Sequence, residues 1–127
     1  MDIGSEEPSY RDKAAIGALL HSFCNGIENI LKRIAVEIDE SVPVGDGWHR
    51  ALLKRMEKDV VGVRPAVLDH ETVSALGPYL GFRHFFRHSY TFELDWMKVK
   101  PLVEEAESVL QRFRRDIESF FAAVSES

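Results

Sequence analysis

The sequence predicts an all-α protein, an antiparallel four-helix up-and-down bundle with a kinked third helix. Three observations carry this. Apolar residues recur at spacings of three and four along most of the chain, clusters of Pro, Gly and Asp punctuate those stretches, and no run shows the strict alternation of a half-buried strand. Internal repeats and low-complexity segments are absent from the sequence.

The first helix is read from Ser9 onward. Ile16, Leu19, Leu20, Phe23, Ile27, Ile30, Leu31, Ile34 and Ile38 mark one apolar face, and Ser9 followed three residues later by Asp12 resembles a capping box at its start. It should stop near Glu40, because Ser41, Pro43, Gly45, Asp46 and Gly47 follow. A shorter helix is expected from Trp48 to Val60, with Leu52, Leu53, Met56 and Val60 inward, until Gly62 and Pro65 interrupt it. Asp69 reads as the N-cap of the third helix, with Glu71 well placed near the positive end of the helix dipole. Gly77, Pro78 and Gly81 should kink this helix before it resumes from Phe82 to His88. The last helix should begin near Asp95, with Pro101 either in its opening turns or marking a bend. Leu102, Val103, Ala106, Val109, Leu110, Phe113, Ile117, Phe120, Phe121 and Val124 keep its apolar rhythm.

The chain has 127 residues, 45% hydrophobic and 29% charged, which fits one domain over 1–127 with residues 1–8 as a flexible N-terminus. Folding at this size removes roughly two thirds of the unfolded chain's surface from water, enough for a core without cross-links. The single cysteine, Cys24, has no intramolecular partner, and no Cys/His spacing suits zinc, so no metal is expected and a reducing, cytoplasmic compartment is. Residues 1–11 lack the apolar core of a signal peptide, and no apolar run is long enough to span a membrane. A net charge of -5 argues against a general nucleic-acid coat. It leaves room for a local anion site, for which Arg50/Lys54/Arg55/Lys58/Arg64 and Arg83/Arg87/Lys98/Lys100 are the available stretches. For the first of these, solvated side chains on a helix surface are an equally good reading.

The densest chemistry lies in Gly81-Phe82-Arg83-His84-Phe85-Phe86-Arg87-His88-Ser89-Tyr90, which holds two arginines, two histidines and four aromatics. At about 100° per residue Arg83 and Arg87 share a helix face, as do His84 and His88, whereas Arg83 and His88 stand about 140° apart. One regular helix therefore does not aim Arg83 and His88 at the same atom unless it kinks, ends, or meets a symmetry-related copy.

These residues resemble the HEPN proteins and, within them, the HepT-like toxins, whose signature is Arg, four to six residues, His, any residue, Tyr. Arg83, His88, Ser89 and Tyr90 match it with a four-residue gap, and Glu93-Leu94-Asp95-Trp96 and Lys100-Pro101-Leu102 continue the likeness through the C-terminal half. The N-terminal half agrees in helix length and order. The resemblance implies a HEPN-like helical bundle and a metal-independent endoribonuclease toxin, a homodimer whose signature segments meet in a cleft. It implies no cofactor. The residue types suit that chemistry: a histidine near neutrality serves as general acid/base, and a permanently charged arginine stabilises the phosphorane. His88 and Arg83 take those roles. The resemblance further implies a cognate minimal nucleotidyltransferase antitoxin, with Tyr90 accepting AMP and so blocking an RNA cleft by occupancy and repulsion. A second function class is a non-catalytic helical binding partner of such a transferase, and a third is a purely structural bundle.

Neighbouring residues have more than one reading. His84 lines the RNA cleft or is a structural histidine, and Arg87 binds RNA phosphate or pairs with Glu93 or Asp95. Phe82, Phe85 and Phe86 read as core or dimer packing rather than base-stacking platforms. Trp48 and Trp96 read as packing anchors, and Cys24 as a small buried hydrophobe. His21, His49 and His70 are scattered without the carboxylate or cysteine spacing of a metal site.

Overall fold

A computed structural model describes residues 8–88 and 96–125, with residues 82–88 as backbone alone. Helix α1 spans Tyr10–Ile34, α2 Trp48–Met56, α3 His70–His88 and α4 Trp96–Ser125. They form an all-α four-helix bundle, and among the described residues the one β pairing is an isolated bridge between Val60 and Arg64.

The start of α1 is set by Ser9, whose hydroxyl accepts the Asp12 N–H at 3.2 Å. Its core-facing row is Leu20, Cys24, Ile27, Leu31 and Ile34. Leu19 and Ile30, expected on that face, are 67% and 42% exposed, because the apolar arc of this helix is wider than the strip its neighbours cover. Cys24 is fully buried among these residues. After Ile34 the helix widens into a π-helical turn, Ala35–Asp39, and ends at Glu40 in a left-handed conformation, φ 58°. The Glu40 and Ser41 N–H groups both donate to the Ala35 carbonyl. Lys32 in the last turn lies 4.2 Å above the Trp48 ring, joining the end of α1 to the start of α2.

Helix α2 is shorter than its sequence pattern suggests, closing at Met56 rather than Val60. The Met56 carbonyl accepts the N–H groups of Val67 and Leu68, which return over the helix end and leave Val60 paired to Arg64. Gly62, at φ 79°, supplies the left-handed residue that this reversal needs. Arg64 holds the loop down. Its guanidinium forks onto Asp39 at 2.6 and 3.0 Å and also donates to the carbonyls of Lys58, Pro65 and Arg55.

Helix α3 continues through Gly77, Pro78 and Gly81 to His88 without ending. Pro78 removes one helical donor, and as an exposed residue it meets water rather than the core. Helix α4 likewise absorbs Pro101. The core gathers α1 residues with Leu52, Leu53 and Met56, then Val67, Leu68, Val73, Leu76, Tyr79 and Leu80, and finally Trp96, Val99, Val103, Val109, Phe113 and Phe120. Among the described residues, no helix is long and apolar enough to cross a membrane.

Candidate functional site

Helices α3 and α4 form an antiparallel hairpin fixed by three ties in matching register. At its base the Asp69 carboxylate accepts the Thr72 N–H at 2.8 Å, capping α3 as the sequence predicts. That backbone hydrogen bond holds Asp69 below the ordinary carboxylate value, against the opposing effect of burial, with the Thr72 hydroxyl, Arg112 and Arg115 reinforcing it. Asp116 on α4 accepts both the Thr72 hydroxyl at 2.6 Å and the Asp69 N–H at 3.1 Å, and Arg112 donates to Glu71 at 2.6 Å. Higher up, the hydroxyl of Tyr79 donates to the Leu102 carbonyl at 2.6 Å. Tyr79 is buried and packs against Phe23, ring centroids 5.4 Å apart. Burial, aided by Glu105 and Cys24, pushes its phenol up to about 12. As position rises along α3 from Asp69 to Tyr79, the partner on α4 falls from Asp116 to Leu102. On α3 the distal end of this hairpin is the stretch 82–88.

The backbone of α3 is helical through His88, so Arg83, His84, Arg87 and His88 have definite register positions. Seven residues make nearly two turns. Arg83 and Arg87 therefore continue the row of Leu76 and Leu80, both buried, whereas His84 and His88 continue the row of Gly77 and Gly81, both exposed. The 140° separation of Arg83 and His88 thus applies to the helix as it stands. The side chains of 82–88 lie outside the described residues, as does Tyr90 altogether.

Of the first basic stretch, Arg64 is withdrawn from any ligand, being buried against Asp39. Arg55 donates to the Ser41 carbonyl at 2.6 Å. Arg50 and Lys54 instead line a cleft between α2 and α3, together with His49, Ser74, Gly77 and Gly81. His70 is exposed beside Glu57. Among the described residues no three His, Cys, Asp or Glu side chains converge as a metal site.

Tyr79, Thr72 and Asp116 are the structural residues that sequence reading misses. Their types are legible, but the partners lie 23 to 47 residues away, and no local spacing reports such pairings.

The family model of HepT-like proteins matches residues 15–124. This chain belongs to the HepT-like family. The match runs from the second turn of α1 to the last turn of α4, and so includes Arg83, His88 and Tyr90. No curated protein and no solved structure matches the sequence.

Proposed function

We propose that this HepT-like protein is a metal-independent endoribonuclease toxin, acting as a homodimer and restrained by a minimal nucleotidyltransferase antitoxin. The observation that carries the reading is family membership over 15–124, across a stretch containing Arg83, four residues, His88, any residue and Tyr90.

In this reading the 2'-hydroxyl of the substrate attacks the adjacent phosphorus and the 5'-oxygen leaves. His88 takes the hydroxyl proton or returns one to the leaving oxygen, and Arg83 neutralises the charge that builds on the phosphorane. Products carry a 2',3'-cyclic phosphate and a 5'-hydroxyl. Because Arg83 and His88 occupy different rows of α3, a two-fold pairing of segments lets an arginine from one copy serve the histidine of the other. His84 and Arg87 extend the RNA contacts. Inhibition follows when the Tyr90 hydroxyl attacks the α-phosphorus of ATP, giving AMP-tyrosine and pyrophosphate. The added phosphate then competes for the cleft.

The test is cleavage of total cellular RNA in the presence of EDTA by wild type, Arg83→Ala and His88→Ala, each shown to be folded. Cleavage by wild type that is lost in both variants is the expected result. Wild-type dimer that leaves RNA intact would replace this reading with that of a non-catalytic partner for the transferase. Mass spectrometry after incubation with the transferase and ATP reads the Tyr90 adduct directly.

A further inference from the structure

The cleft between α2 and α3 has a volume of about 450 Å³ and is lined by His49, Arg50, Leu53, Lys54, Val73, Ser74, Gly77, Leu80 and Gly81. Among the described residues no carboxylate lines it. Arg50 and Lys54 are exposed, and neither forms an ion pair among the described residues. Other arginines are committed elsewhere: Arg33 to Glu37, Arg64 to Asp39 and Arg112 to Glu71. In a chain of net charge -5, two exposed cations one helical turn apart on the rim of an open cleft mark a place for an anion.

The opposite wall is unusual for a helix. Gly77 and Gly81 lie inside α3, where each costs about 1 kcal/mol relative to alanine. Neither has a positive φ, and a Cβ built at either meets nothing within 4 Å. Backbone geometry and helix packing therefore leave both glycines unexplained. They leave α3 bare where a ligand backbone would approach.

We infer that this cleft is a phosphate track that holds single-stranded RNA on its way to the signature segment. The inference rests on the ribonuclease reading for its ligand. Its geometry is independent of it: the glycine row flooring the cleft is the row that continues to His84 and His88. Gly81 and His88 are seven residues apart, ~10 Å along the axis, the length of about three stacked nucleotides. Arg50 and Lys54 engage phosphates on one side of the scissile bond, and Gly77 and Gly81 let the strand lie against the helix.

Fluorescence anisotropy with a labelled, fully 2'-O-methylated RNA oligonucleotide tests this, because such a strand lacks the attacking hydroxyl and reports binding alone. The full-length protein is compared with Arg50→Ala/Lys54→Ala and with Gly77→Leu, which fills the cleft without altering charge. The double variant should bind about tenfold more weakly at low salt, and its slope of log Kd against log salt should fall by about 1.4, two phosphate contacts at ~0.7 each. Gly77→Leu should weaken binding and preserve the slope. Unchanged affinity and slope in the double variant would overturn the track, even with cleavage of natural RNA intact. Loss of binding in that variant, alongside a wild type that cleaves nothing, would uphold the track and refute the nuclease. Displacement of the strand by AMP at concentrations matching unlabelled oligonucleotide would make the cleft a mononucleotide site and also overturn it.

Discussion

The hydroxyl of Tyr79 donates to the carbonyl of Leu102 at 2.6 Å, joining α3 to α4 just below the stretch of α3 that carries Arg83 and His88. Tyr79→Phe keeps the ring and its contact with Phe23 and removes this bond alone. The Leu102 carbonyl retains its helical acceptor role, so the expected loss is ~1 kcal/mol by urea unfolding at neutral pH. The pH dependence is sharper. An unfolded tyrosine ionises near 10.0, whereas folded Tyr79 stays neutral up to about 12. Its stabilisation is therefore complete below pH 10 and is lost as pH rises from there towards about 12. The wild type should lose stability over that window more steeply than Tyr79→Phe, and parallel curves would refute the assignment.

The Arg64 fork onto Asp39 is the clearest case of a buried pair whose halves depend on each other, with side-chain exposures of 0% and 5%. Arg64→Ala strands a buried carboxylate and releases three backbone carbonyls, and should cost ~3–5 kcal/mol. Asp39→Ala leaves the guanidinium its carbonyl partners and should cost less. Denaturant unfolding of the two single variants and the double variant gives the coupling energy, expected at ~0.5–3 kcal/mol. Additive losses would show that the pair contributes nothing beyond its separate contacts.

The same pair shows where sequence reading ends. Arg64 counts among five basic residues of a candidate anion stretch, and nothing within a few positions announces that a carboxylate 25 residues earlier claims it. Local signals were legible: the Ser9 and Asp69 caps, the halt at Glu40, the buried Cys24, the four helices and their order. The end of α2 was not, because Met56 is followed by helix-compatible residues and is closed by Val67 and Leu68 returning from beyond Pro65. The candidate site divides similarly. The motif stands in the sequence, and the register of its rows follows from helix geometry, while the cleft of Arg50 and Lys54 needs α3 packed beside α2.

Asp69 offers a test at acid pH. Its carboxylate caps α3 and sits below the ordinary value of 3.8, so its stabilisation is present above that value and disappears as pH falls through the lower folded value. Asp69→Ala should cost ~0.5–2 kcal/mol at neutral pH, with the difference from wild type closing in strong acid. Asp69→Asn retains a capping oxygen and should recover most of the loss without the pH dependence. If the asparagine variant were as unstable as alanine, attraction to Arg112 and Arg115 would replace the cap as the principal contribution.

Pro78 separates stability from the proposed activity. It is exposed and lies inside α3, so nothing in the core requires its ring, yet an interior proline removes a helical hydrogen bond and crowds the preceding turn. Relaxation of α3 around it recovers part of the ~3 kcal/mol interior penalty, so Pro78→Ala should raise stability by ~1–2 kcal/mol in urea unfolding. The segment 82–88 lies beyond Pro78 on the same helix, and ten residues of α3 propagate any change of axis to His88. Any such change would shift the histidine row relative to the α2 cleft, and displacement of a catalytic group by about 1 Å can cost ~100-fold in rate. The expected outcome is a more stable protein that cleaves RNA more slowly while binding the methylated oligonucleotide through Arg50 and Lys54 as before. Equal gains in stability and activity would mean that Pro78 has no part in positioning the site.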